Sequence, residues 1–92
     1  MMNKKEYQEK LEAQIKEWQA EIEKLKAQAQ KKSADTKMEY QDKIDELEKR
    51  VQQQNQKLQA LKETGEEKWE ETRKELEKEV NEIKAQIKDL LY

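Results

Sequence analysis

Closely spaced carboxylates are the side chains of this sequence that come nearest to a catalytic pattern. Two carboxylates can act as general acid and general base when a cleft gives them different surroundings. The residues around them have the spacing of narrow coiled-coil helices, which offer no such cleft. We therefore predict that these carboxylates are solvated and that the protein is not an enzyme. The two clusters are Asp42/Asp45/Glu46 and Glu66/Glu67/Glu70/Glu71.

Cysteine and histidine are both absent from the 92 residues. The chain can therefore form no disulfide, and it lacks the ligands that zinc, haem and iron–sulfur clusters use. It also lacks the usual nucleophile–base pairs of covalent catalysis. No EF-hand loop, P-loop or glycine-rich dinucleotide fingerprint is present. The sequence predicts no catalytic residue, no metal site and no cofactor.

The charge of the chain is high but balanced, with 20 basic residues, 22 acidic residues and a net charge of −2. No basic block occurs, so the electrostatic footprint of a nucleic-acid-binding protein is missing. No apolar run approaches the roughly 20 residues of a membrane span. The first ten residues contain no apolar core of the kind that a signal peptide has. We expect a cytoplasmic protein that binds no nucleic acid.

The apolar residues follow a helical period between Tyr7 and Leu61. Sixteen positions there are separated by fifteen steps of three or four residues across 54 residues, a mean of 3.6. This is the period of an α-helix, so the sixteen side chains share one face. We call these positions the first seam: Tyr7, Leu11, Ile15, Trp18, Ile22, Leu25, Ala29, Ser33, Thr36, Tyr40, Ile44, Leu47, Val51, Gln54, Leu58 and Leu61.

Thr64 and Gly65 mark the clearest boundary in the chain. Glycine suits the left-handed position just past a helix end, and Thr64 with Glu67 fits a capping box for the next helix. A connection this short makes the flanking helices antiparallel neighbours, which places Leu90 near Tyr40. The second seam continues with steps of four and three residues: Trp69, Arg73, Leu76, Val80, Ile83, Ile87 and Leu90.

Residues 31–37 leave two structures open. The seam positions Ala29, Ser33 and Thr36 are small. A new helix could begin here, because Ser33, Asp35 and Thr36 are all plausible N-cap residues, and Thr36 with Glu39 fits a capping box. Against a break, the stretch contains neither glycine nor proline, and the seam keeps its phase as far as Tyr40. We therefore predict one long helix over about residues 4–63 and a shorter helix over about residues 66–91.

The returning helix ends near Tyr40, so the first half of the long helix has no partner within the chain. Its apolar side chains need cover, at about 25 cal/mol per Å² of apolar surface. We predict an all-α antiparallel coiled-coil hairpin, one domain over residues 1–92, that completes three-helix bundles by antiparallel dimerisation. The alternative is a monomeric three-helix bundle with a turn near residues 31–36. The two are domain-swapped versions of one set of contacts.

Three seam residues have a second interpretation. Gln54 lies among the glutamines of residues 52–56, and we predict that it forms a polar layer that fixes the helix register, as buried polar residues do in coiled coils. Trp18 and Trp69 are large enough to anchor a partner protein. Their place in the two seams favours the interpretation that both are core residues.

Three segments carry a resemblance to known proteins: YQEKLEAQIKEW at residues 7–18, EYQDKIDEL at 39–47 and GEEKW at 65–69. Their order of tyrosine, tryptophan, tyrosine, glycine and tryptophan resembles a family of small bacterial coiled-coil proteins, some labelled stress-response proteins. A further tryptophan often follows in the last helix of that family, where this chain has Val80. The resemblance implies a bacterial, cytoplasmic, non-enzymatic helical protein and carries over no catalytic residue.

We expect a structural or interaction protein that self-associates, with an antiparallel homodimer as the main assembly and another coiled-coil protein as a further partner. An association with stress responses follows from the resemblance. The alternative is a peripheral lipid- or membrane-surface protein that uses residues 7–30 as an amphipathic helix. Interfacial helices favour Lys and Arg on the polar face, whereas this one also carries glutamates. They are Glu6, Glu9, Glu12, Glu17, Glu21 and Glu23.

Overall fold

The computed structural model describes residues 3–91, which form three α-helices and no strand. Helix α1 spans Lys4–Ala29, α2 spans Ala34–Glu63 and α3 spans Trp69–Leu91. The helices pack side by side in a bundle whose Cα atoms extend over 51 × 19 × 17 Å. The prediction of an all-α fold is confirmed. Residues 1, 2 and 92 of the domain predicted over 1–92 lie outside the described part.

Helix α1 begins at a capping residue. Asn3 has an extended backbone (φ −83°, ψ 173°), and its side-chain oxygen accepts the backbone N–H of Glu6 at 2.8 Å. This bond satisfies one of the donors that the first turn leaves unpaired. Glu6 in the first turn and Lys26 in the last turn also match the helix dipole. The residues between them are mostly strong helix formers, so the helix continues for 26 residues.

The single chain does not form the continuous helix predicted over residues 4–63. Helix α1 ends at Ala29, and a turn at residues 30–33 sends the chain back along itself before α2 begins at Ala34. The alternative prediction, a three-helix bundle with a turn near residues 31–36, describes the observed fold. The turn at residues 30–33 begins slightly earlier than expected, and Ser33, one of the three N-cap residues that the sequence offers, is the N-cap residue of α2.

The physical reason for the turn is the cover that it gives to the first half of the first seam. Leu11, Ile15 and Trp18 are all less than 5% exposed in the bundle, and a straight helix in a lone chain would leave them in water. Fully burying one large apolar side chain contributes about 1.5–3 kcal/mol. The turn interrupts only a few backbone hydrogen bonds, each worth about 0.5–1.5 kcal/mol net. Burial therefore outweighs helix continuity when only one chain is present.

The second connection, residues 64–68, confirms the predicted boundary but not its predicted details. Gly65 does not have a positive φ, so it is not a left-handed cap. The Thr64 hydroxyl donates to the carbonyl of Ala60 at 2.9 Å instead of forming a capping box with Glu67. Helix α3 begins at Trp69, three residues later than predicted, after a turn closed by the N–H of Lys68 and the carbonyl of Gly65 at 3.1 Å.

The core runs along the axis of the bundle and is built from the two seams. Every large apolar residue of the first seam from Tyr7 to Leu61 is buried except Tyr40, which is half-buried. Ser33 and Thr36 lie at the turn and are exposed, so these two predicted seam positions do not join the core. On α3 the buried positions are Trp69, Leu76, Ile83 and Ile87.

Polar contacts show how the helices lie beside one another. The Tyr40 hydroxyl donates to the carbonyl of Leu90 at 2.6 Å, so the start of α2 lies beside the end of α3. At the opposite end of the bundle, the Lys4 ammonium donates to the carbonyl of Lys62 at 3.1 Å and to that of Thr64. Lys4 thereby places a positive charge on the C-terminal carbonyls of α2, where the helix dipole favours a cation.

Candidate interaction sites

The carboxylate clusters of the sequence do not converge on a cleft. Asp42, Asp45 and Glu46 are exposed on the outer face of α2, and Glu46 lies 3.8 Å from Arg50 on the same helix. Glu66 and Glu67 are exposed in the second turn. Among residues 3–91, no three acidic side chains are placed to hold a metal ion together. Most of these side chains are solvated, as the sequence predicts, but Glu70 is half-buried and lies 3.1 Å from Arg73.

Gln54 is the one buried polar residue of the described core, as the first seam predicts. Its amide nitrogen donates to one carboxylate oxygen of Glu79, and the Lys57 ammonium donates to the other. The amide oxygen of Gln54 is buried and has no partner within residues 3–91. A buried carbonyl without a partner costs about 1–3 kcal/mol. The polar layer therefore links α2 to α3 at a cost in stability.

Replacing Gln54 with leucine is expected to stabilise the bundle by about 1 kcal/mol, because it removes the unpartnered carbonyl and adds apolar contact but forfeits one hydrogen bond. Thermal unfolding followed by circular dichroism should show a rise in Tm of about 4–8 °C. The matched control is Gln53→Leu, which adds the same side chain at an exposed position and should change Tm little. A lower Tm for Gln54→Leu would show that the Glu79 contact outweighs the penalty.

Trp18 and Trp69 are core residues, as the sequence predicts. Trp18 on α1 is 2% exposed and Trp69 at the start of α3 is 6% exposed, so neither indole is presented to a partner on the surface. The ring of Trp69 lies 6.3 Å from that of Tyr7, centroid to centroid, with an angle of 41° between their planes. This aromatic pair joins the first turns of α1 and α3, and Tyr7 also lines the cleft between these helices that is described below.

Helices α1 and α3 form the least complete of the three helix interfaces. The pair Lys26–Glu48 links α1 to α2, and Arg50–Glu82 at 3.7 Å and Lys57–Glu79 link α2 to α3. Within residues 3–91, no ion pair links α1 to α3. A cleft of about 240 Å³ opens between these two helices. We call it the α1–α3 cleft; it is lined by Tyr7, Lys10, Leu11, Gln14, Glu77, Val80, Asn81 and Lys84.

Tyr7 lines the cleft with a ring that is almost fully buried, and its hydroxyl has no hydrogen-bond partner in the described part of the chain. Burial, with a smaller contribution from the Glu77 carboxylate, raises the pKa of Tyr7 to about 12, although the nearby Arg73 guanidinium opposes the shift. Arg73 itself lies 3.1 Å from Glu70 and 3.0 Å from Glu77. The phenol therefore stays protonated, and remains a donor, at any physiological pH.

The raised pKa of Tyr7 predicts a loss of stability in alkali. In the unfolded chain a tyrosine ionises near pH 10, whereas the folded chain holds this proton up to a pKa of about 12. The stabilisation is complete below pH 10, decreases as the pH rises and is lost above pH 12, at about 1.4 kcal/mol per pH unit. Urea unfolding between pH 9 and pH 11.5 should show this decrease in the unmodified protein.

Tyr7→Phe is the control for that prediction, because it removes the ionisable group and keeps the ring. The variant should lose less stability than the unmodified protein over the same pH range. At pH 7 it should be more stable by about 1 kcal/mol, because it no longer buries an unpartnered hydroxyl. Identical pH profiles for the two proteins would contradict the assignment.

The turn between α1 and α2 is held by few contacts. The Lys37 ammonium donates to the side-chain oxygen of Gln30 at 2.9 Å, and the Ser33 hydroxyl donates to that of Thr36 at 3.2 Å. The Lys32 ammonium lies 4.7 Å from the centre of the Tyr40 ring. Most of these side chains are exposed, and exposed polar pairs of this kind contribute less than about 1 kcal/mol each.

The backbone of this turn also contains no conformation that would prevent these residues from forming a helix. Gln30 is still helical (φ −64°, ψ −20°), and Ser33 leaves the helix through its ψ angle alone (φ −62°, ψ 159°). The Ser33 side chain accepts no backbone N–H from the first turn of α2, although Ser33 occupies the N-cap position. No residue from 3 to 91 has a positive φ or a cis peptide bond. Every residue of the turn is therefore free to adopt a helical backbone.

Several contacts between helices could not be predicted from the sequence. The bond from Lys4 to α2 and the ion pairs between helices join residues that are far apart in the chain, and no local pattern marks them. Tyr7 was identified as a seam residue, but its unpartnered hydroxyl depends on the arrangement of α3. A polar ring on an otherwise apolar seam was the signal available for this residue.

Within residues 3–91, no helix combines the length and the apolar character that crossing a membrane requires. Comparison with protein families, with curated proteins and with solved structures finds no match for this chain. The resemblance to small bacterial coiled-coil proteins therefore stays a prediction from the sequence.

Proposed function

We propose that the protein is a non-enzymatic structural coiled-coil protein that self-associates as an antiparallel homodimer by exchange of α1. In this dimer α1 and α2 of each chain join into one long helix, and α1 packs on α2 and α3 of the other chain. The observation that supports the proposal is the turn at residues 30–33, which holds α1 in place and contains no residue that requires a turn.

The phase of the seam also supports exchange. Ala29 is the last buried residue of α1, and Tyr40 is the first residue of α2 to contact the core. The steps through Ser33 and Thr36 to Tyr40 are four, three and four residues, so a helix that continued through the turn would keep all buried residues on one face. A connection that served only as a loop would not need to keep the buried positions of α1 and α2 in one helical phase.

The free-energy difference between the two forms is small for a physical reason. Every contact that α1 makes with α2 and α3 in one chain is remade between two chains after exchange. The dimer loses the exposed contacts of the turn and the freedom of two separate molecules, and it gains helical hydrogen bonds through residues 30–33. Protein concentration therefore controls the balance between the two forms.

The shapes of the two forms differ enough to measure. A helix of the 60 residues from Lys4 to Glu63 is about 90 Å long at 1.5 Å per residue, whereas the single-chain bundle extends over 51 Å. Small-angle scattering combined with size-exclusion light scattering should show a mass above 11.2 kDa together with a longer particle as the concentration rises. A particle that doubles in mass without becoming longer would contradict exchange.

Disulfide trapping between two single-cysteine variants gives the decisive test. Gln14 on α1 and Asn81 on α3 both line the α1–α3 cleft, and the natural chain has no cysteine to interfere. When Gln14→Cys and Asn81→Cys proteins are mixed at high concentration and oxidised, exchange is expected to give a disulfide-linked mixed dimer. Mass spectrometry of the linked peptides identifies the pair.

The matched control mixes Gln14→Cys with Lys49→Cys, whose cysteine lies at an exposed position of α2 outside the cleft. This pair should link only through random collisions. Equal yields from the two mixtures, together with a monomer mass at all concentrations, would overturn the proposal.

The structural feature that suggested the alternative function at lipid surfaces is absent from the bundle. It required the apolar side chains of residues 7–30 to be unpartnered, and in the bundle Leu11, Ile15, Trp18, Ile22 and Leu25 are all buried. A bacterial, cytoplasmic and stress-associated role stays a prediction that rests on the resemblance. A coiled-coil protein that carries the α1 pattern is a further candidate partner, because it would occupy the same place on α2 and α3.

A further inference from the structure

We propose that the turn at residues 30–33 is a proteolytic processing site, at which a protease with a lysine-binding specificity pocket cuts the Lys32–Ser33 bond and makes α1 a detachable helix. The chemistry is hydrolysis, in which one water molecule adds across the amide bond and leaves a carboxylate on Lys32 and an amino group on Ser33. The inference concerns the single-chain bundle, so it holds whether or not two chains exchange α1.

The turn carries the longest uninterrupted run of exposed residues in the described part of the chain, residues 30–36. Exposed loop tips of this kind are the preferred sites of proteolytic cutting. A protease binds the residues on both sides of the cleaved bond in an extended form, and residues 30–35, which flank the Lys32–Ser33 bond evenly, all lie within this run. Ser33 is already extended (φ −62°, ψ 159°). Binding at this bond therefore removes no side chain from the core.

Few contacts hold the backbone before the bond in place. The N–H groups of Lys31 and Lys32 donate to the carbonyls of Gln28 and Ala29, at 3.1 and 3.2 Å. The Lys32 ammonium lies over the Tyr40 ring, 4.7 Å from its centre, and a cation–π contact at an exposed site is weak. Opening the turn therefore breaks hydrogen bonds at the end of α1 without separating the helices, and such local opening costs less free energy than global unfolding.

The connection between α2 and α3 also carries an exposed lysine, Lys68, but the neighbouring residues are buried. Cutting after Lys68 would require Trp69, which is 6% exposed, to leave the core. Cutting after Lys62 would require the same of Leu61, which is fully buried, and the Lys62 carbonyl accepts a hydrogen bond from Lys4 at 3.1 Å. The fold therefore exposes the bond after Lys32 and protects the bonds after these two lysines.

The cut changes how α1 is held. In the intact chain the turn keeps α1 beside α2 at a high effective concentration, and after the cut only non-covalent contacts remain. The new carboxylate of Lys32 follows the C-terminal end of α1, and the new amino group of Ser33 precedes the N-terminal end of α2. Each helix dipole disfavours the charge that it receives. We therefore expect dilution to release α1 and to uncover the apolar surface of α2 and α3 for another copy of α1.

Trypsin is the probe, added briefly to the whole chain at low concentration, and mass spectrometry identifies the fragments. We expect the first cut between helices to give residues 1–32 and 33–92. Its rate should respond to low concentrations of urea much less steeply than global unfolding does, because local opening exposes little surface. A short peptide substrate in the same urea corrects for changes in trypsin activity. A first cut after Lys62 or Lys68, or a rate that follows global unfolding, would overturn the proposal.

Two variants test the assignment of the bond. In Lys32→Gln the cut should move to the bond after Lys31 and slow by about fourfold or more, because the buried methyl group of Ala29 must then leave the core. The matched control, Lys68→Gln, removes the exposed lysine of the other connection and should leave the rate of the first cut unchanged. An unchanged rate in Lys32→Gln, or a slower first cut in Lys68→Gln, would contradict the assignment.

Release of α1 is tested on the cut protein itself. Cut protein of natural isotope content is mixed with cut protein labelled with heavy nitrogen, and native mass spectrometry follows the complexes of the two fragments. We expect hybrid complexes that combine α1 from one preparation with α2 and α3 from the other, and separated fragments on further dilution. Fragments that form no hybrid and stay together on dilution would show that α1 does not detach, and would overturn the proposal.

Discussion

Replacing Ala34 with proline is expected to abolish the exchanged homodimer and leave the single-chain bundle intact. Ala34 is the first residue of α2, a position that proline favours because the backbone N–H there needs no helical partner. Ser33 before it is already extended (φ −62°, ψ 159°), as the residue before a proline prefers to be. The turn therefore accepts proline without strain.

The continuous helix of the exchanged dimer does not accept it. Proline in a helix interior removes a hydrogen bond and clashes with the preceding turn, at a cost of about 3 kcal/mol. Two such helices in one dimer give about 6 kcal/mol, a loss of about 10⁴-fold in the dimerisation constant. Size-exclusion light scattering should show only monomer at concentrations where the unmodified protein dimerises, with an unchanged helical circular dichroism spectrum.

Ala34→Gly is the control for this prediction. Glycine lowers helix propensity by about 1 kcal/mol in a helix interior but blocks neither structure, so the variant should still dimerise with a moderately reduced affinity. If Ala34→Pro dimerised as tightly as the unmodified protein, the two chains would associate through their surfaces and not by exchange of α1.

Truncating Trp18 to alanine is expected to remove a large part of the stability of the bundle. Trp18 is among the largest fully buried side chains of the core and is 2% exposed. Substituting such a residue with alanine costs about 3–5 kcal/mol, whereas a domain of this size is stable by only about 5–15 kcal/mol. Thermal unfolding should show a decrease in Tm of more than about 12 °C.

Met38→Ala provides the comparison, because Met38 is the one large apolar residue that the described chain leaves exposed, at 69%. This substitution should change stability by less than about 0.5 kcal/mol. Trp18→Phe should give an intermediate loss, because the smaller ring leaves part of the cavity filled. Equal Tm values for Trp18→Ala and Met38→Ala would contradict the core described above.

The α1–α3 cleft could not be predicted from the sequence, although several of the residues that line it could be placed on their helices. The seam placed Tyr7 and Leu11 on the buried face of α1, and Val80 on that of α3. Neither residue type nor spacing distinguished Lys10 and Lys84 from the 18 other basic residues. Their position on opposite sides of one cleft depends on how closely α1 approaches α3, and that distance is set by α2, which both helices contact.

Helical periodicity is a local property of the chain, and it therefore identified most of the core in advance. The burial of Leu11, Leu47 and Ile83, the polar layer at Gln54 and the boundary at Gly65 all followed from spacing and residue type. The course of the chain at Ser33 did not, because its backbone is compatible with helix and turn alike. The turn forms because side chains from Tyr7 to Leu25 need cover from α2 and α3, and the energy of that cover comes from residues distant in the chain.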